Sequence, residues 1–137
     1  NKTERKVYEY LLTKYETKRE VRRMDFTIVS GNKKCDIEID GNQHFRQVSN
    51  WTCPLETLMG DRTKMEDSLS RNKSVLRIYQ PDILQDNIPW KRIIDVYAEL
   101  ESKRGDNGAR VYIYEKHTDL YQDHIKDYNN IYIINLK

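Results

Sequence analysis

The sequence predicts one α/β domain, a mixed β-sheet flanked by helices, on two observations. Residues 24–40 alternate on either side of a turn, as the arms of a hairpin do. Three short β-rich runs, near 75–79, 111–115 and 131–136, are separated by segments of helical period or by turn residues. The 137 residues are long enough for one domain with a real core, and the 34% of charged residues require a wide polar surface around it.

The elements follow in order. Val7, Tyr8, Leu11, Leu12 and Tyr15 share a helical face, which predicts a helix over 3–18 with Thr3 as N-cap and Glu4 in the first turn. Met24, Phe26 and Ile28 then alternate with Asp25, Thr27 and Val29. Ser30-Gly31-Asn32 makes the turn, and Cys35 to Asp40 returns as the second arm. Residues 45–55 lack a period and read as a loop, with Trp51 and Pro54, placed to cover whatever lies at the strand exit. A helix over 55–72, a strand over 75–79 and a helix after Pro89 follow, the last marked by Ile93, Ile94, Tyr97 and Leu100. Residues 104–110 form a loop, 111–115 a strand, 119–128 a helix and 131–136 a final strand.

Charge is uneven although the net value is only +2: residues 1–35 hold ten Lys/Arg against five Asp/Glu. Lys14, Lys18, Arg19, Arg22 and Arg23 dominate that excess, which suits either a polyanion partner or a solvated helix face. No stretch reaches the roughly 18 apolar residues of a membrane span, and no signal-peptide pattern opens the chain, so the expectation is an intracellular protein with Cys35 and Cys53 as thiols. The first residue is Asn, which fits a piece of a longer chain. Cys35, Cys53, His44, His117 and His124 lack the paired spacing of a zinc site, and the last two histidines read as surface residues.

The stretch Cys35-Asp36-Ile37-Glu38-Ile39-Asp40-Gly41-Asn42-Gln43-His44 carries the chemistry. Alternation puts Asp36, Glu38 and Asp40 on one face, where like charges repel unless a cation joins them. Asp25 of the hairpin's first arm belongs to the same side of the sheet. Mg²⁺ or Mn²⁺, which take oxygen ligands and keep several waters, suits such a face, with Asp25, Glu38 and Asp40 as ligands. Gln43 and His44 follow closely enough to orient a water, and an imidazole is able to take or give its proton near neutrality.

Met24-Asp25-Phe26, then Ile37-Glu38-Ile39-Asp40-Gly41-x-Gln43-His44-Phe45, then Asp61-x-x-Lys64 and Val75-Leu76-Arg77-Ile78 resembles the very-short-patch-repair-like branch of the PD-(D/E)XK nucleases. That branch includes restriction-endonuclease-like proteins of bacteria, phages and large DNA viruses. The resemblance covers about residues 4–78 and implies a restriction-endonuclease-like core with a C-terminal α/β extension over about 89–137. It implies that Asp25 and Glu38 hold metal, that Glu4 on the first helix assists through water, and that His44 is the branch's histidine. Asp61 and Lys64 match its D-x-x-K element, completing the site or holding phosphate. The chain departs from the superfamily's E-x-K, because Asp40 stands where lysine is usual, and Asp36 has no counterpart and reads as a surface acid.

The resulting expectation is a Mg²⁺-dependent endonuclease acting on DNA. Arg62 and Lys64 neutralise phosphate, Lys18, Arg19, Arg22 and Arg23 steer the duplex, and Trp51 lies beside the nucleic acid. A binding module of the same fold without catalysis, an RNA endonuclease and a protein-interaction domain are the alternatives. A monomer would nick, whereas a homodimer would cut both strands.

Overall fold

The computed structural model describes residues 1–22, 24–45, 54–105 and 107–137. Helix α1 (Lys2–Lys14) is capped by Asn1, whose Oδ1 accepts the Glu4 amide at 2.8 Å. Thr3, the expected cap, is instead buried, its hydroxyl accepting from Gln80 Nε2 at 3.3 Å. The helix stops at Lys14 because Tyr15 is extended, and strand β1 (Glu16–Val21) begins where the sequence pattern carries the helix on to residue 18. β1 is a sheet edge with mostly exposed side chains, so its charged sequence contains no apolar alternation to mark it.

The hairpin forms as expected. β2 (Met24–Ser30) turns at Gly31, which takes a left-handed φ of +62°, and returns as β3 (Lys33–Asp40). Strands β4 (Val75–Tyr79), β5 (Val111–Tyr114) and β6 (Ile131–Ile134) add in parallel to β3, giving a six-stranded mixed sheet in the order β1-β2-β3-β4-β5-β6. Helix α2 (Pro54–Ser70) links β3 to β4, and α3 (Gln80–Leu84) with α4 (Trp90–Lys103) links β4 to β5. A 3₁₀ turn (Glu115–His117) and the four-residue α5 (Gln122–Ile125) precede β6, where the sequence pattern suggests a helix over 119–128.

Helices cover both faces, so β3 and β4 are buried on both sides. On one face α1 and α4 supply Val7, Leu11, Ile93, Ile94 and Tyr97 against Phe26, Ile37 and Leu76. The other face is covered by α2 and α5 and has a smaller apolar core, with Met65 and Tyr121 against Val75 and Ile113. Polar contacts fill the rest of that second face.

Asp36 is one of them. Fully buried, it accepts from Thr27 Oγ1 at 2.6 Å and Ser68 Oγ at 2.7 Å, and Lys73 Nζ lies 3.4 Å away. It therefore fastens α2 to the sheet and is not a surface acid. Asp36→Ala leaves Lys73 buried without its counter-charge and should cost roughly 3 kcal/mol of unfolding free energy. Chemical denaturation measures it, and a variant as stable as the parent contradicts this structural role.

Candidate metal centre and active site

The hairpin and the parallel strands bring their chemistry to one edge of the sheet. β2 enters where β3 and β4 end, because β2 runs antiparallel to β3 while β3 and β4 run together. Asp25 at the start of β2 thereby meets Glu38 and Asp40 at the end of β3. The bond from Gln80 to Thr3 draws the start of α1, with Glu4, to the same edge. Ligands of α/β sheets commonly bind outside the carboxyl ends of the parallel strands.

The acids there fall into two groups. Asp40 is fully buried and already neutralised: Arg77 of β4 donates to its carboxylate through Nε at 2.9 Å and Nη2 at 2.7 Å, and the Tyr121 hydroxyl donates at 2.8 Å. The same Nη2 lies 3.3 Å from Asp61 of α2. Burial would lower the Arg77 pKa, but the charges of Asp40 and Asp61 hold it above its ordinary value. Among the described residues, Arg77 Nη1 is buried with no hydrogen-bond partner.

Glu38, directly across from Arg77 in register, has much weaker compensation. One oxygen accepts the Asp25 amide at 3.1 Å, while Asp25 in turn accepts the Ile39 amide at 2.8 Å. Burial and the Asp25 charge raise the Glu38 pKa to about 8, against the partial opposition of Arg77. Burial raises Asp25 to about 6, with the Ile39 amide opposing and Glu4 adding repulsion. Two carboxyls whose proton affinity is raised, with no salt bridge to a described residue, fit a divalent ion with oxygen preference, and Glu4, partly exposed, is available as a further ligand.

His44 lies on the 3₁₀ turn Asn42–His44 that follows β3, and its half-buried ring points Nδ1 at Asp61 Oδ2, 2.7 Å away. His124 of α5, missed as a site residue by its sequence, is buried and places Nε2 2.9 Å from the same oxygen. A carboxylate only accepts, so both nitrogens carry hydrogen, and His44 in its neutral form keeps Nε2 as a lone-pair acceptor. Burial opposes the charged form of His44, but the Asp61 hydrogen bond and the charges of Asp40 and Asp61 outweigh it and raise its pKa. Asp61 is held well below the usual carboxylate range by His124, His44 and Arg77, despite its burial.

Asp40, His44 and Asp61 offer ligand atoms within 4.8 Å of one another, a group that could hold a metal ion. The Arg77 guanidinium already faces both of its carboxylates. Asp40, expected as a metal ligand, belongs to this group, whereas Asp25, Glu38 and Glu4 lie outside it. Gln43 is exposed, with its amide oxygen folded against Gly41: a Cβ there would lie 2.5 Å from it. Lys64 is half-buried on α2 and makes no ion pair with a described residue.

The cations expected at nucleic acid divide. Lys18 on β1 and Arg22 just past its end are exposed, whereas Arg19 stacks over the Tyr8 ring on α1, 4.6 Å from its centroid. Arg62, expected at phosphate, donates to the Asp123 and Lys126 carbonyls at 2.9 Å and stacks on Tyr128. Arg23, Trp51 and Cys53 lie outside the described residues. His117, expected at the surface, is buried against Asp82 at 2.7 Å. Among the described residues no helix is long and apolar enough to cross a membrane.

No family model, curated protein or solved structure matches the chain.

A carboxyl with a raised pKa stabilises the fold below its unfolded value and loses that contribution as pH rises through its folded value. For Glu38 that window runs from 4.5 to about 8, so stability of the metal-free protein should fall across it. Glu38→Gln cannot ionise and should flatten most of the fall, with a higher Tm than the parent at the alkaline end. Thermal melts in EDTA over a pH series test this, and superimposable profiles would count against it.

Proposed function

We propose that this protein is a Mg²⁺- or Mn²⁺-dependent endonuclease that hydrolyses phosphodiester bonds in DNA, with a core of the PD-(D/E)XK type. The observation that carries the reading is the pair of half-buried Asp25 and buried Glu38, without an ion pair among the described residues, at the same sheet edge as an imidazole oriented by Asp61. A hydrolase acting on a polyanion requires both parts: an oxygen-lined place for a divalent ion, and a proton acceptor near it.

Asp25, Glu38 and Glu4 would hold the ion, which when bound supplies charge neutralisation at the phosphate and acidifies water. His44 acts through Nε2, accepting a proton from the attacking water or returning one to the leaving oxygen. Asp61 fixes its tautomer and stabilises the imidazolium, and His124 keeps Asp61 in place. Lys64, partly accessible and without a counter-ion among the described residues, is available to phosphate. The lysine that the superfamily carries two residues after its acid is absent, and the cation nearest that position is Arg77 of the adjacent strand, bound to Asp40.

Arg77's burial supports the alternative of a non-catalytic nucleic-acid-binding module, because a guanidinium paired on both sides does not reach a substrate. RNA is the second substrate class, since metal-dependent hydrolysis does not need the 2′-hydroxyl. Nicking of supercoiled plasmid with Mg²⁺ or Mn²⁺, alongside a labelled RNA, separates these readings. Asp25→Ala or Glu38→Ala should abolish DNA cleavage, and His44→Ala should slow it by about 10²–10⁴-fold. Full activity in either acid variant overturns the assignment, and binding that persists in EDTA without cleavage under any metal selects the non-catalytic module.

A further inference from the structure

A groove of about 500 Å³ lies along the open face of the β1–β2 hairpin, between the strands and the end of α2. Its walls carry Lys18, Arg22, Lys33, Lys34 and Arg71, and the sole acid among the described lining residues is Glu16. The register explains this gathering: Lys18 stands opposite Thr27, and Val29 lies between Glu16 and Lys34, so these side chains share the face that α2 only partly covers. Arg71 has a partner in Asp67 at 3.3 Å. Lys18, Arg22, Lys33 and Lys34 make no ion pair with a described residue.

Direction matters as much as charge. Val21 pairs with Met24, next to Asp25, so the Arg22 end of the groove opens at the edge where Asp25 and Glu38 lie, while Lys33 and Lys34 mark the opposite edge. The five residue steps from Glu16 to Val21 span about 17 Å of strand. That length matches about five phosphates along a duplex strand. Among the described residues no aromatic side chain lines the groove to stack on bases.

We propose that this groove binds the sugar-phosphate backbone of one nucleic-acid strand, without regard to sequence, and leads it from Lys33 and Lys34 to the acidic edge at Arg22. The inference rests on the nuclease reading for what lies at that edge, but it concerns binding and not cleavage. Charge complementarity selects the occupant: four cations that make no ion pair with a described residue suit a regular polyanion.

The test is fluorescence anisotropy of the full chain with labelled single-stranded DNA and the matching duplex, in EDTA so that cleavage does not intervene, over a salt series. Lys33→Ala/Lys34→Ala should weaken binding equally on unrelated sequences. The slope of log K against log salt should become shallower by roughly 1.4 for the single strand or about 1.8 for the duplex, whichever occupies the groove. Both lysines lie at the hairpin turn, away from Asp25 and Glu38, so the melting temperature should match the parent's. An unchanged slope on both DNAs overturns the proposal, as does a parent that binds neither. So does loss of polyaspartate binding in the variant with DNA binding intact, which would point to an acidic protein instead. Plasmid cleavage by Glu38→Ala with Mg²⁺, run separately, distinguishes the two ideas: a shallower slope in the lysine variant with cleavage undiminished in Glu38→Ala sinks the nuclease assignment and leaves the groove standing.

Discussion

The second face of the sheet depends on one buried guanidinium. Asp40 and Asp61 come from different elements, both are essentially inaccessible, and two ionised carboxylates in such a place are untenable without a cation. Arg77 answers both with a planar fork that a lysine would not reproduce. Its partners spread the constraint outward. Asp61 fixes His44 and His124, Asp40 takes the Tyr121 hydroxyl, and the short α5 with its flanking turn is thereby tied to the sheet by polar bonds where apolar packing is thin. Such a network does not need to add net stability to be useful, since its geometry admits one arrangement of the strands, α2 and α5.

Compensation changes along β3. Asp36 is closed by two hydroxyls and Lys73, and Asp40 is closed by Arg77 and Tyr121. Glu38 sits between them and faces Asp25, with a single backbone amide as its donor. A candidate site therefore appears where the fold's own cations have been committed elsewhere. Burial and repulsion from neighbouring carboxylates raise the proton affinities of Glu38 and Asp25, in keeping with their few donors.

Much of this was legible in the residues. Alternation located the hairpin, β4 was read to its residue limits, and Asp25, Glu38 and His44 lie at one edge because the register of β2 on β3 follows from the turn at Gly31. Alternation alone could not separate Asp36, Glu38 and Asp40, since their difference lies in partners from α2, β4 and the segment around α5, far away in sequence. His124 and His117 gave no sign of burial because α5 and the 3₁₀ turn are too short to show a periodic apolar face. The basic run after α1 looked like one cluster on a helix. As an edge strand it alternates, sending Lys18 into the groove and Arg19 over Tyr8.

Paramagnetic broadening of backbone amide NMR signals on titration with Mn²⁺ reads directly which acids remain open to a divalent ion. The amides of Asp25, Glu38 and Ile39 should broaden first, with Glu4 close behind, before those around Asp61 and His124 are affected. Broadening centred on His44, Asp61 and His124, with the Asp25 and Glu38 signals intact, would instead place the ion in the group that Arg77 is argued to fill and contradict the division of the acids.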